Sequence, residues 1–297
     1  MIDAVVVAYN SRETLRACVE PLAALPWVSV TVVDNACPDD STAVVADLPV
    51  RIIKAPRNGG FAFGCNIGIA AGASEHVLLI NPDARLDAAS LTTMAGALRS
   101  GPELGGVGPR TIDEAGQLDW TQRRFPRLRS SFAQALFLHR LAPRASWTDE
   151  VIRDPEAYAR PTVADWLSGC CLLLRRDALA QVDGLDEGFF LYSEETDLFL
   201  RLRQAGWTAR YVPAATVTHV GGVSAAPDTM KGTWARSRIR YARKHHGHAV
   251  AMLEAVALAI GALTRAAGSI HRPGRASAHV DAARGALGAI RPSRATR

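Results

Sequence analysis

The sequence predicts an α/β protein with a mostly parallel sheet flanked by helices, followed by a basic helical extension. Two observations predict the sheet. The first is a series of apolar runs that suit strands buried on both faces. The second is that these runs alternate with segments of helical spacing through the first half of the chain. Such alternation is typical of βαβ units. A third observation predicts the extension, because lysine and arginine are concentrated after residue 230.

The first half of the chain is expected to contain four strands and four helices in alternation. The strands are predicted at residues 2–9, 28–33, 50–54 and 77–80. The helices are predicted at about residues 11–25, 41–48, 61–72 and 88–99.

The second half is less regular. Strands are predicted at 105–108, 166–174 and 209–212. Helices are predicted at about 130–141, 176–182 and from 194 to about 205, and the tail is expected to form helices at 234–248 and 249–263. Residues 143–162 are expected to form a flap or an acceptor loop, and about the last 30 residues are expected to be flexible.

Cysteine content and hydropathy indicate the compartment. Five cysteines show neither a C-x-x-C pair nor the Cys/His spacing of a metal site. We therefore expect core thiols, no disulfides and a cytoplasmic location. The N-terminus lacks the pattern of a signal peptide, and we find no run of about 20 apolar residues that would indicate a spanning helix.

Charge is distributed unevenly. From residue 231 onward thirteen Lys and Arg accompany only two acids, a net charge of +11, so the rest of the chain carries −6 of the overall +5. Arginines interleaved with Trp234, Ile239 and Tyr241 suit an amphipathic helix on an anionic membrane surface. Nucleic acid is disfavoured because the tail contains no recognised binding module. A merely solvated tail is the remaining alternative.

Polar residues follow three of the predicted strands. Tyr9-Asn10, Asp34-Asn35 and Asn81-Pro82-Asp83 each lie where a strand ends. In an open α/β sheet ligands bind at this edge, although Asn and Asp also favour ordinary turns. Gly59-Gly60 precedes a helix and can bring backbone N–H groups close to an anion. The sequence lacks the glycine patterns of dinucleotide oxidoreductases and NTPases in the expected places.

Asp83 and His219 are candidate metal ligands. Asp83, with Asn81 two residues earlier, resembles an Asp-x-Asp site whose first acid is replaced. A hard cation is commonly held by one or two carboxylates plus substrate phosphates. His219 ends an apolar run before two glycines, where either a ligand or a structural histidine fits.

The acidic cluster at Glu194, Glu195 and Asp197 has two interpretations. Carboxylates stabilise a helix N-terminus, and Asp197 can pair with Arg201 one turn later. The apolar run 189–192 instead suggests a partly dry site in which a carboxylate could act as a general base.

Seven motifs in order resemble the family 2 glycosyltransferases of GT-A fold, with the rhamnosyltransferase-like branch nearest. They are VVVAYN, VVDN, NGGFAFGCNIGI, NPDA, SGCCLLLRRDAL, GLDEGFFLYSEETDLFLRLRQAGW and HVGGVS, and they cover about residues 1–245. The resemblance implies a GT-A (Rossmann-like) domain at 1–225, with a nucleotide-sugar half at about 1–110 and an acceptor half at about 111–225. The basic tail is then 226–297.

The resemblance also implies the activity: inverting transfer of rhamnose or a related deoxysugar in cell-wall or polysaccharide assembly. The donor would be a dTDP- or UDP-linked sugar, used with Mg²⁺ or Mn²⁺. The acceptor would be a lipid-linked saccharide or another hydroxyl compound, met on the inner face of the cell membrane. Whether the chain forms a homodimer is left open.

Individual residues take roles by this resemblance. Glu195 lies where the family places its general base, usually Asp, with Glu194 as the substitute. Asp83 corresponds to the metal-binding acid, and His219 to a metal ligand of some relatives. The nucleotide-sugar site is predicted to comprise Ala8, Tyr9, Asn10, Asp34, Asn58, Gly60, Asn66, Asn81, Asp83 and Arg124. The acceptor or sugar site is predicted to comprise Trp166, Ser168, Gly169 and Tyr192.

Three other functions remain open at this point. One is a glycosyltransferase with a soluble natural-product acceptor. Another is a nucleotidyltransferase, which we would expect to carry a Gly-rich basic loop where this chain reads AYNSRETL. The third is a catalytically silent nucleotide-sugar-binding protein, against which the acids at both Asp83 and Glu195 argue.

Overall fold

The structure is a computed structural model that describes residues 1–142, 145–221, 230–271 and 273–290. Within these residues the chain forms two compact units. The first comprises Met1–Arg124, Asp154–Gly188 and Glu194–Ser224, and the second comprises Phe125–Arg153, Phe189–Ser193 and Ala225–Arg297.

Strands β1 to β11 all lie in the first unit. Their bounds are β1 Ile2–Ala8, β2 Val28–Asp34, β3 Arg51–Lys54, β4 His76–Ile80, β5 Ala84–Leu86, β6 Leu104–Ile112, β7 Gln122–Arg123, β8 Thr162–Ala164, β9 Trp166–Leu167, β10 Cys171–Arg175 and β11 Thr208–His219. Strands β7 and β9 form a small antiparallel sheet of their own.

The other nine described strands form the central sheet. Their order is β3-β2-β1-β4-β10-β6-β11-β5, with β8 also paired to β11. β1, β2, β3 and β4 pair in parallel, and β10 runs antiparallel to both β4 and β6. Because β6 and β11 are parallel to each other, six of these nine strands point the same way. The prediction of a mostly parallel α/β sheet is confirmed.

Helices α1 to α9 are divided between the units. The first unit contains α1 Leu15–Ala23, α2 Phe61–Ala70, α3 Ala88–Ser100, α6 Arg176–Gln181 and α7 Glu194–Gln204, and the second contains α4 Leu128–Ala135, α5 Leu138–Leu141, α8 Lys231–Gly268 and α9 Pro273–Gly288. Two short 3₁₀ helices lie at Ser41–Val45 and Pro155–Tyr158.

Small residues let α2 approach the sheet closely. A Cβ at Gly64 would lie 2.6 Å from a Val7 methyl carbon, and one at Gly68 would lie 2.2 Å from a Val5 methyl carbon. Neither position can accept a larger residue unless β1 shifts. This contact fixes the start of α2, and hence the Gly59-Gly60 turn, close to the end of β1.

Several predicted elements differ from those observed. The helix predicted at 41–48 is only the 3₁₀ helix Ser41–Val45. The strand predicted at 166–174 is two strands in different sheets, β9 and β10, because the chain turns at Ser168–Cys170. The helix predicted at 130–141 divides into α4 and α5 at Phe137, whose positive φ of 58° ends α4.

The tail is more ordered than expected. The two predicted tail helices appear as one long α8 that is broken at Gly247, where φ is 85° and ψ is 175°. The segment expected to be flexible, about the last 30 residues, contains the helix α9 at Pro273–Gly288. Alanines explain the helix: Ala282, Ala283 and Ala286 are buried against the alanines of α8.

The predicted boundary at residue 225 and the end of the HVGGVS motif fall in residues 222–229, outside the described residues. The division into a domain and a tail at that point therefore stays a prediction. By length and composition alone, α8 is the one described helix that could cross a membrane. Core helices of soluble proteins pass the same test.

A buried ionic network holds the second unit together. Arg238 donates to both oxygens of Glu150 and, through Nε, to Glu254 at 2.8 Å. Ser131 donates to Glu254 at 2.7 Å, which joins α4 to both halves of α8. All members of this network belong to the second unit. Burial disfavours the charged form of Arg238, but the two carboxylates outweigh this effect and raise its pKa above the usual value.

Candidate active site

The ends of β1 and β2 form the first part of the candidate site. Ala8 lies opposite Asp34 in the parallel register, and the Asn35 N–H donates to the Ala8 carbonyl at 3.1 Å. Asp34 accepts the Cys37 N–H at 2.9 Å, which turns the chain away from the strand. Tyr9 is half-buried, and Asn10 has a φ of 48°. These residues thus lie at the edge where the sequence predicted them.

Asn35 organises the neighbouring turn, although it was not among the predicted site residues. Its buried amide donates to Asn58 Oδ1 at 3.0 Å and to the Gly60 carbonyl at 3.2 Å, and its Oδ1 accepts the Gly59 N–H at 3.3 Å. Asn58 Oδ1 also accepts the Gly60 N–H at 3.1 Å. One side chain at the end of β2 therefore fixes the turn that precedes α2. Its position beside Asp34 at a strand end was the available signal.

A second group of polar side chains meets where β4 ends. His219 Nε2 lies 3.3 Å from Asp83 Oδ1 and 3.4 Å from Asn81 Nδ2. The pairing of β5 with β11 creates this contact, since His219 lies opposite Ala84 and the Val220 N–H donates to the Asp83 carbonyl. Residues separated by more than 130 positions in the sequence are thus brought together as the sequence analysis expected.

These donors suit a hard or borderline divalent ion that is also held by its ligand. Asp83 offers a carboxylate oxygen, His219 an imidazole nitrogen and Asn81 an amide oxygen. Among the described residues, no group of three or more His, Cys, Asp or Glu side chains could hold a metal ion.

Two adjacent carboxylates begin α7. Glu194 is buried and Glu195 is half-buried. The Oε2 atom of each is enclosed without a hydrogen-bond partner within the described part of the chain. Unpaired buried carboxylate oxygens are costly in a purely structural role, which favours a functional interpretation.

The two carboxyl groups differ in acidity. Burial, together with the charge of Glu195, raises the pKa of Glu194 well above its ordinary value. Burial also raises the pKa of Glu195, but backbone N–H groups at the start of α7, Arg123 and the backbone at Gly169 act in the opposite direction. Two carboxylates this close do not both ionise readily. The pKa of Glu194 is therefore raised further than that of Glu195, whose charged form has these favourable contacts.

The small sheet of β7 and β9 supplies the cation beside Glu195. Arg123 lies opposite Trp166, and its guanidinium carbon is 5.7 Å from the centre of the Trp166 ring. Arg123 Nε is buried with no hydrogen-bond partner among the described residues. Arg123 is the cation that acts on the pKa of Glu195, and the predicted nucleotide-sugar contact of its neighbour Arg124 stays a prediction. The carbonyl of Arg124 accepts the indole N–H of Trp166 at 3.0 Å.

Backbone pairing joins the two acidic groups along one sheet edge. Cys171 lies opposite Ile80 at the start of β10, and the Asn81 N–H donates to the Cys170 carbonyl at 2.9 Å. The next residue back, Gly169, faces Glu195, because a Cβ there would lie 3.7 Å from Glu195 Oε1. Gly169 therefore lies beside the Glu195 carboxylate. The predicted role of Gly169 in the acceptor or sugar site stays a prediction.

Three predicted site residues have other surroundings. Asn66 uses its amide on the backbone of Leu185, donating to the carbonyl at 2.8 Å and accepting the N–H at 3.0 Å. Its predicted contact with a nucleotide stays a prediction. Ser168 is joined to Thr121 through its backbone N–H. Tyr192 belongs to the second unit, where its φ is 68°.

Comparison with known proteins decides the family. The model of "Glycosyl transferase family 2" matches residues 3–182. This chain belongs to glycosyltransferase family 2. It is therefore a glycosyltransferase, and the expected family is confirmed.

Two relatives of this family 2 chain are rhamnosyltransferases. It is 33% identical over 237 residues to the N-acetylglucosaminyl-diphospho-decaprenol L-rhamnosyltransferase of Mycobacterium tuberculosis, covering 74% of this chain and 76% of the relative. It is 30% identical over 171 residues to the rhamnosyltransferase WbbL of Escherichia coli, covering 54% and 61%.

The solved structures confirm the GT-A fold. The mannosyltransferase PcManGT of Pyrobaculum calidifontis, solved with GDP-Man and Mn²⁺, superposes with a TM-score of 0.57 at 15% identity, covering 97% of this chain and 86% of that one. At this identity the likeness concerns the fold alone.

Proposed function

We propose that this protein transfers rhamnose or a related deoxysugar from a dTDP- or UDP-linked donor to a hydroxyl of a lipid-linked saccharide, with inversion at the anomeric carbon. Membership of family 2 supports sugar transfer. The name of the mycobacterial relative specifies L-rhamnose and a decaprenol-diphosphate acceptor, which supports this sugar and this acceptor class. The product would serve cell-wall or polysaccharide assembly at the inner face of the membrane.

The observation that carries the mechanism is the separation of two kinds of acidic site along one sheet edge. Asp83, with His219 and Asn81, forms one group after β4. Glu195 forms the other beside Gly169, and the Asn81–Cys170 backbone hydrogen bond links them. Displacement of a diphosphate by a hydroxyl needs a charge-neutralising site at the leaving group and a base at the nucleophile. The two groups suit these separate tasks.

On the donor side, Asp83 and His219 would hold Mg²⁺ or Mn²⁺ together with the diphosphate. When bound, the ion offsets the negative charge that develops on the departing nucleoside diphosphate. Asp34 and the backbone near Ala8 and Tyr9 would receive the nucleoside. Asn35 would position the Asn58–Gly60 turn, and the N–H groups at the start of α2 would face an anion.

On the acceptor side, Glu195 would accept the proton of the attacking hydroxyl. Its raised pKa makes it a stronger base than an ordinary glutamate, and its charge is balanced by Arg123. Glu194 would stay protonated and so would not compete for the proton. Trp166 and Gly169 would border the acceptor, because they lie beside Arg123 and Glu195 respectively.

A donor screen tests the proposal. Purified protein is incubated with Mn²⁺, a decaprenyl- or short-chain prenyl-diphospho-GlcNAc acceptor and, in turn, dTDP-rhamnose, UDP-GlcNAc or GDP-mannose. Released nucleoside diphosphate and product mass are measured, and NMR of the product gives the anomeric configuration. We expect transfer from dTDP-rhamnose, abolished by EDTA and restored by Mn²⁺ or Mg²⁺. Asp83→Asn should remove the activity, whereas the exposed control Asp177→Asn should keep it.

Three results would contradict the proposal. Transfer from UDP-GlcNAc or GDP-mannose but not from dTDP-rhamnose would remove the sugar assignment. Full activity of Asp83→Asn would remove the donor-side assignment. Transfer to a soluble aglycone in preference to the prenyl-linked acceptor would replace the acceptor class.

A further inference from the structure

The C-terminal half of α8 exposes large aliphatic side chains along one face. The members, which we call the aliphatic stripe, are each between 38% and 53% exposed: Met252, Leu253, Val256, Ile260 and Leu263. Their spacing of three and four residues places them on one side of the helix. The stripe is therefore a continuous apolar surface rather than scattered residues.

The opposite face of the same segment is built from small residues. Ala251 and Ala255 pack in one buried cluster with Ala286 of α9, and Ala259 and Ala262 pack in another with Ala282 and Ala283. A helix on the surface of a water-soluble domain normally buries its large aliphatic residues and exposes polar ones. Here the order is reversed, as in helices that pack through small residues and face lipid with large ones. The stripe is therefore expected to contact another apolar surface.

We propose that the aliphatic stripe lies in the surface layer of an anionic lipid bilayer and anchors the protein there with α8 parallel to the membrane. The stripe runs over 11 residue steps, from 252 to 263, which at 1.5 Å per residue is about 16 Å. The hydrocarbon core of a bilayer is about 30 Å thick, so the stripe is too short to span it. Glu254, on the buried side of the same segment, is held by Arg238 and Ser131. A helix with one apolar face and one face fixed to its own domain fits the interface.

Charge favours a bilayer over a second copy of the chain as that surface. The chain from residue 231 onward carries a net charge of +11. Two copies that met through their stripes would bring these like charges together, whereas an anionic surface attracts them. The attraction would hold the stripe against the bilayer, and the aliphatic side chains would supply the insertion.

The stripe therefore replaces the basic segment 234–248 as the expected anchor. Two arginines of that segment are used inside the second unit. Arg238 is buried between two carboxylates, and Arg243 donates to the carbonyls of Ala289 and Ile290. Their charge contributes to long-range attraction, but their side chains are engaged in holding α8 and α9. This inference rests on the proposed function only for the expectation that the acceptor is a lipid.

Vesicle co-sedimentation tests the anchor. The full chain is mixed with vesicles of phosphatidylcholine alone or of phosphatidylcholine with phosphatidylglycerol, in low and high salt. We expect binding to the anionic vesicles that weakens with salt. Val256→Ser/Ile260→Ser should reduce the partition coefficient by about tenfold or more, because both side chains leave the lipid. Val163→Ser is the matched control, since Val163 is an exposed valine on β8 of the first unit.

Each outcome decides the proposal. Loss of vesicle binding in the double variant but not in Val163→Ser supports it, provided that both variants unfold at the wild-type temperature. No binding of the wild type, or equal binding of the double variant, overturns it. If the wild type forms a concentration-dependent dimer, and the double variant is monomeric but binds vesicles as the wild type does, the stripe contacts a second copy. That result also overturns the proposal.

Transfer to a short-chain, water-soluble acceptor analogue separates this inference from the proposed function. The double variant should keep the wild-type rate with that acceptor, because the stripe contributes no residue to the candidate active site. A wild type that binds vesicles but transfers no sugar would contradict the proposed function and leave the anchor standing.

Discussion

Replacing Asn35 with alanine should weaken both the stability of the protein and its affinity for the donor. The buried amide of Asn35 makes three hydrogen bonds, to Asn58 Oδ1, the Gly60 carbonyl and the Gly59 N–H. Within the turn itself, Asn58 Oδ1 also accepts the Gly60 N–H, so Asn35 holds both ends of the turn to β2. The substitution therefore releases the segment that precedes α2 and removes the acceptor of the buried Gly59 N–H.

The structure sets the expected magnitude. Each neutral hydrogen bond contributes about 1 kcal/mol net, and a buried polar group left without a partner costs about 1–3 kcal/mol. The free energy of unfolding should therefore fall by about 3 kcal/mol. For a chain of this size that loss lowers the melting temperature by about 6–10 °C. A loosened turn should also raise the donor KM by about tenfold, which corresponds to 1.4 kcal/mol.

Thermal denaturation and donor-dependent kinetics measure the two effects. Asn66→Ala is the matched control, since it also removes two backbone hydrogen bonds, but at Leu185 rather than at the turn. We expect it to lower stability while leaving the donor KM close to wild type. The reasoning would be refuted if Asn35→Ala changed the free energy of unfolding by less than about 0.5 kcal/mol, or if the two variants had equal donor KM values.

Three further predictions concern charged groups. Arg238→Ala should destabilise the protein by about 3–5 kcal/mol, because two buried carboxylates lose their cation. The free energy of unfolding is measured by denaturant titration, and a decrease of less than about 1 kcal/mol would contradict this prediction. Arg123→Gln should raise the pKa of Glu195 further, so the acid limb of the pH–rate profile should move to higher pH; an unmoved limb would show that Arg123 does not act on the base. Glu194→Gln should increase the free energy of unfolding at neutral pH but not below about pH 4. Because the pKa of Glu194 is raised in the folded protein, this carboxyl group favours the unfolded state at neutral pH, where the unfolded chain releases its proton, and has no such effect where both states keep the proton. Equal gains at both pH values would contradict the assigned protonation.

The order of elements and the edge that carries the site were predictable from the sequence because each depends on local pattern. Buried strands such as Ile2–Ala8 are near-continuous apolar runs, and the polar residues after β1, β2 and β4 mark the edge. Elements whose ends depend on distant contacts were not predictable. Nothing local to 166–174 reveals that its two halves pair with different partners, β7 on one side and β4 on the other.

The candidate site divides in the same way. The Asp83–His219 contact was expected from residue type and motif order. The effect of Arg123 on the pKa of Glu195 was not, because it depends on the pairing of β7 with β9. The exposed aliphatic face of α8 was not predicted either, since the composition of the helix does not show that its alanines are buried and its larger side chains exposed.

The most direct test of the mechanism compares Glu195→Gln with Glu194→Gln in single-turnover transfer at saturating donor and Mn²⁺. If Glu195 is the base, its replacement should slow transfer by about 10²–10⁴-fold without weakening donor binding. Glu194→Gln should stay within about tenfold of wild type, because glutamine resembles the protonated acid. The opposite ranking, or wild-type transfer by Glu195→Gln, would contradict the account.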